Sequence, residues 1–157
     1  MKMFKKIFLL ICALAVGITV SAQTAKEIYK QGKEFYDAKN YAKALPLLRK
    51  AADKGNKKAQ YRLGRCYDKG HGVEKNKETA FQWYQKSAKQ DYSKAQYQVG
   101  KAYLKGKVVA KDEKKAKSWL KKAISNPKGG AEVLDNIRKE AAEGKETAKQ
   151  ILVLLGK

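Results

Sequence analysis

Beyond an apolar run from Ile7 to Val20, the bulky, small and polar positions of this chain come back at a fixed interval. The decapeptide KAQYRLGRCY that starts at Lys58 returns as KAQYQVGKAY at Lys94, 36 positions further on. Gly64 is followed by Gly100, Tyr67 by Tyr103, Gly70 by Gly106, Val73 by Val109 and Trp83 by Trp119, each 36 apart. Ala44, Ala80 and Ala116 keep the same step, whereas Gly32 precedes Gly64 by 32, so the first unit has a shorter connection. A period of this length predicts a solenoid, in which each unit buries its apolar face on the next.

Each unit divides into two helices. Thr24 with Glu27 has the spacing of a capping box, and Asn56 and Ser93 are placed to cap the first helices of units two and three. Asn40, Asn76 and Asp112 stand at the equivalent point before each second helix. The stretch DKGHGVEKN between helices carries two glycines, which permit the backbone angles of a tight turn. The third unit reads LKGKVVAKD, with Val108 at the second glycine, so its turn must differ locally. Gly64, Gly100, Ala80 and Ala116 allow close helix approach. Tyr67, Trp83, Tyr84, Tyr103, Trp119 and Leu120 supply bulk and are assigned to packing, the usual role of aromatics at helical spacing. After Gly129-Gly130, two further helices are expected, with Ile151 to Leu155 covering the open face of the last unit.

The segment KAQYRLGRCYDKGHGVEKNKETAFQWYQKSAKQ closely resembles a Sel-one-like repeat, the longer-looped relative of the tetratricopeptide repeat. The A-x-x-x-L-G-x-x-Y core, the G-x-G-V turn and the A-x-x-W-Y second helix are all present. The next unit matches with one turn glycine lost, and the unit before it looks more like a plain tetratricopeptide repeat, with Asn40-Tyr41 replacing the long turn. The expected organisation is a signal peptide over 1–22, a tetratricopeptide-like repeat over 23–56, Sel-one-like repeats over 57–92 and 93–128, and capping helices over 129–157. The resemblance implies an all-α fold, a right-handed α-solenoid of antiparallel helix pairs. It also implies a protein-binding or peptide-binding adaptor whose concave groove is lined by first helices.

The ends and the charge narrow the partner. Lys2, Lys5 and Lys6, the apolar run and Val20-Ser21-Ala22 follow the order of a cleaved secretory signal, with Gln23 as the expected first mature residue. Cys12 sits inside the apolar run, which excludes a lipoprotein signal. The expected location is periplasmic or secreted, and the expected state is a monomer. Of the formal charge of +21, +18 remains without the signal. Such a charge favours anionic partners, and export argues against nucleic acid. Cys66 is then the only cysteine, so no internal disulfide is expected and the thiol is read as a small core residue.

Candidate binding residues come from the helix register. Six before, three before and one after each repeat glycine define one helix face. Those positions are Lys26, Tyr29 and Lys33 in unit one, Lys58, Tyr61 and Arg65 in unit two, and Lys94, Tyr97 and Lys101 in unit three. Stacked, they form a ladder of cations and phenols suited to an acidic protein or peptide. The alternative is that the lysines only solvate the surface, or that the protein adheres to anionic envelope glycan or lipid through charge alone. His71, the sole histidine, lies in a glycine turn with no nucleophile or metal partner spaced around it. It reads as an exposed loop residue. No catalysis, metal or cofactor is expected.

Overall fold

The computed structural model describes residues 23–157, so the apolar run and its cleavage motif lie outside the described residues. The described chain is helical, and its eight helices form four pairs. The first pair is α1 (Ala25–Asp37) and α2 (Tyr41–Asp53), and the second is α3 (Lys57–Lys69) and α4 (Lys77–Ala88). The third is α5 (Ser93–Lys105) and α6 (Glu113–Ser125), followed by α7 (Gly130–Ala142) and α8 (Glu146–Leu155). Each helix packs mainly on its neighbours in the chain, which makes the molecule a solenoid of helix pairs.

Helix starts follow local chemistry. Thr24 and Glu27 form the reciprocal capping box at α1. Asn56 accepts from the Ala59 N–H at 3.0 Å. Asn40, Asn76 and Asp112 accept from the backbone N–H three residues on, at the starts of α2, α4 and α6. Ser93 departs from the expectation. It is the first helical residue of α5, the cap position belongs to Tyr92 without a side-chain bond, and the Ser93 hydroxyl donates to the Lys128 carbonyl at 3.4 Å.

The two long turns close alike despite the lost glycine. The Asn76 N–H donates to the Tyr67 carbonyl, and the Asp112 N–H donates to Tyr103 in the same manner. Gly70, Gly72 and Gly106 take positive φ, whereas Val108 does not need one. A side chain at Gly72 would meet Tyr41 at 2.7 Å, so the second turn lies hard against α2. Valine at 108 cannot make that approach.

The tryptophans do pack against the core, but from its edge and not at the helix contact. Tyr84 and Leu120, not Trp83 and Trp119, press on Gly64 and Gly100. Leu120 is fully buried and Tyr84 nearly so, while both tryptophans are half-buried beneath lysine stems, Lys86 over Trp83 and Lys122 over Trp119. The repeated glutamine of KAQY is buried in both copies and spends its amide across units. Gln60 donates to the Ala52 carbonyl and receives the Gln90 amide, and Gln96 donates to the Asp91 carboxylate. Cys66 is free and fully buried, and burial pushes its thiol up to about 11. At the last pair Ile137 and Ile151 join the core, but Val153 points outward at 81% exposure.

Candidate functional site

The nine ladder residues all sit on first helices, yet the structure divides eight of them among three grooves. The first lies between the amino-terminal halves of α1 and α3, has a volume of about 740 Å³, and takes in Lys26, Tyr29, Lys33 and Lys58 together with Lys30. The second lies between α5 and α7 and takes in Tyr61, Lys94 and Tyr97. Lys101 lines a third groove with residues of α3 and α4. Arg65 stands at none of these walls, its guanidinium resting 5.8 Å from the centre of the Tyr36 ring.

Charge is distributed unevenly along this face. In the second groove α7 brings acids to the ladder: Lys94 pairs with Glu132 at 2.6 Å, and the Tyr97 hydroxyl donates to Glu140 at 3.3 Å. Burial first, and the Glu140 charge next, push the Tyr97 phenol far up, so it stays a neutral donor. In the first groove Lys33 is spoken for by Asp37, whose carboxyl is held below the usual range by that lysine and by Arg62. Lys26, Lys30 and Lys58 have no carboxylate within 4 Å among the described residues, and Glu27 is engaged by its cap. Among the ladder lysines, Lys26 and Lys58 thus stand unpaired at the first groove and Lys101 at the third, while Lys94 is answered at the second.

Arg62, absent from the ladder as read from sequence, organises the contact between the first two units. Its Nε–H donates to the Tyr29 hydroxyl at 3.2 Å, its plane lies over Tyr36 at 4.7 Å, and it pairs with Asp37 at 3.2 Å. It stands two before Gly64, where the other units carry Lys30 and Gln98. Lys30 and Gln98 line grooves from that position, and one more offset in the register would have found it.

His71 is not an exposed loop residue. It is half-buried, stacks on Tyr41 at 4.5 Å with 12° between planes, and sets Nδ1 3.3 Å from the Tyr36 hydroxyl. Burial, then the charges of Arg65 and Lys69, hold its pKa below the ordinary value. These contacts are structural, and no group of three potential metal ligands occurs among the described residues.

The Sel1 repeat model matches the chain three times, over residues 21–56, 57–92 and 93–127. A Sel1 repeat protein from Oxalobacter formigenes superposes with a TM-score of 0.62 at 35% identity, covering 81% of this chain and 54% of that one. The protective antigen c5321 of uropathogenic Escherichia coli, which displays the same repeat fold, superposes with a TM-score of 0.63 at 29% identity, covering 86% and 30%. The provisionally named beta-lactamase HcpC of Helicobacter pylori strain J99 is 34% identical over 74 residues, 46% of this chain. The match spans about a quarter of HcpC.

Proposed function

Because the chain belongs to the Sel1 repeat family, we propose that it is a non-catalytic scaffold that captures an acidic protein or peptide in the groove between α1 and α3. The observation that carries this reading is the uneven ladder. Lys94 and Tyr97 are answered by Glu132 and Glu140 of α7, while Lys26, Lys30 and Lys58 at the first groove have no carboxylate within 4 Å among the described residues. A partner that supplied carboxylates there would complete the pattern α7 already makes internally. The Tyr29 ring and the lysine stems offer flat apolar area beside the charges, which suits side chains of a peptide. The basic composition and the signal-like amino-terminal sequence favour work in the periplasm or outside the cell. The activity in the name of HcpC belongs to a protein several times the matched length, and the one histidine here is committed to a packing stack.

The test is a fluorescence anisotropy titration with a labelled heptapeptide alternating Glu with Leu and Phe. Reversing Lys26→Glu, Lys30→Glu and Lys58→Glu together should abolish binding with helicity intact. Reversing the exposed second-helix lysines, Lys50→Glu, Lys117→Glu and Lys121→Glu, changes the charge equally and should cost less than threefold. Equal losses would replace the groove with the competing reading, adhesion to anionic glycan or lipid by net charge, because such attraction follows total charge.

A further inference from the structure

The junction between units one and two and the junction between units two and three use the same slot, with opposite contents. At the first junction the slot is filled by rings: Tyr41 stacks on His71, Tyr36 meets Tyr41 edge-on at 5.4 Å, and Gly72 lets the turn close against Tyr41 and Leu45. Carried along the register, Tyr41 becomes Lys77, His71 becomes Lys107, Gly72 becomes Val108 and Leu45 becomes Phe81, each 36 further on. Across the first helices, where the step is 32, Tyr36 becomes Asp68 and Asp37 becomes Lys69. All three members of the aromatic cluster are thus exchanged for charged residues, and the glycine that allowed the turn to close is lost.

What results is a cleft of about 300 Å³, walled by Phe81, Ala102 and Val108. Five lysines line it, Lys69, Lys77, Lys101, Lys105 and Lys107, against the single acid Asp68. Lys69 lies 3.8 Å from Asp68, and the other four have no carboxylate within 4 Å among the described residues. Lys101 is half-buried there beside Lys105, and its pKa is lowered first by loss of water and next by that neighbouring charge. The other four lysines are exposed around it; holding the Lys101 charge partly out of water beside Lys105 is costly, and a bound anion offsets the cost. The pattern is confined to this junction: one repeat further on, Asp68 and Lys77 correspond to Leu104 and Glu113.

We propose that this cleft binds a compact phosphate-bearing polyanion. The size excludes a folded partner, since about 300 Å³ holds roughly ten water volumes, the scale of a pyrophosphate or a sugar phosphate. The cations are all lysines, compact point charges with three rotatable donors each, and several of them surround a tetrahedral anion without a fixed plane. The phosphate could belong to a soluble ester or to a lipid headgroup, and the cleft is separate from the α1/α3 groove.

Calorimetric titration of the full chain with inorganic pyrophosphate tests this. One site per chain is expected, with affinity falling at least tenfold in the Lys101→Gln, Lys107→Gln double variant. The Lys50→Gln, Lys117→Gln variant, on exposed second-helix faces away from the cleft, should stay within twofold. The triple change Lys77→Tyr, Lys107→His and Val108→Gly rebuilds the ring stack of the first junction; it should abolish binding and raise the melting temperature. At alkaline pH below 10.5, binding should take up a proton in the native chain and not in Lys101→Gln, because the anion restores the charged ammonium. Vesicles carrying a phosphomonoester headgroup, compared with phosphodiester vesicles of equal charge, separate the sources: binding that depends on Lys101 assigns the headgroup, and pyrophosphate binding alone assigns a soluble ester. No heat with pyrophosphate, or equal losses in the two double variants, would overturn the proposal.

Discussion

A methyl group added at Gly100 would land 2.7 Å from Leu120, and one at Gly64 would land 2.6 Å from the Tyr84 ring. Both partners are core side chains with no room to retreat, so overpacking governs. Gly100→Ala should cost about 1–3 kcal/mol, lowering the melting temperature by roughly 4 °C per kcal/mol. An unchanged melting temperature would mean that α5 and α6 are not pressed together as described. His71 carries a different signature. Its folded pKa lies below the ordinary 6.5, so the unfolded chain binds more protons between those two values. Its neutral form therefore contributes stability that is fully present above 6.5 and is lost as pH falls through the lower, folded value. His71→Phe keeps a ring on Tyr41 and should flatten the dependence of denaturation midpoint on pH just below 6.5. Parallel curves for the two proteins would refute the neutral stack.

At the scale of the helix pair, the position that meets the repeat glycine carries the weight. Tyr84→Ala should cost about 3–5 kcal/mol as a nearly buried aromatic, and Trp83→Ala less, about 1–2 kcal/mol, since its indole is only partly buried at the edge of the core. Urea denaturation of the two variants settles the order, and the reverse order would restore Trp83 to the core. The 36-residue register made the helix pairs, their polar caps and the small glycine positions legible, because those features are local and periodic. It did not distinguish Trp83 from Tyr84, adjacent residues whose facing depends on how the second helix rolls against the first. Ser93 misled for a similar reason: a serine before KAQY has cap chemistry, but the chain enters α5 one residue earlier. The candidate face was legible only as a face. Glu132 and Glu140 lie in the degenerate last pair, outside the register, and it is these that engage Lys94 and Tyr97.

For the whole molecule, charge is uneven along one face, with unpaired lysines at the first and third grooves and acids at the second. Net charge alone would attract any polyanion anywhere, with an affinity that falls steeply as salt screens it. A groove walled by Tyr29, whose hydroxyl Arg62 holds, and by apolar lysine stems keeps part of its affinity at high salt, since buried apolar contact is not screened. Residue-resolved mapping decides between these pictures. Titrating the Glu/Leu/Phe heptapeptide into isotope-labelled protein at 0.5 M salt and following amide chemical shifts should move resonances of α1 from Lys26 to Lys33 and of α3 from Lys57 to Arg65. The second-helix faces of α2, α4 and α6 should stay still. Shifts spread evenly over exposed lysines of all helices, or vanishing altogether at that salt, would contradict a scaffold that works through its first-helix groove.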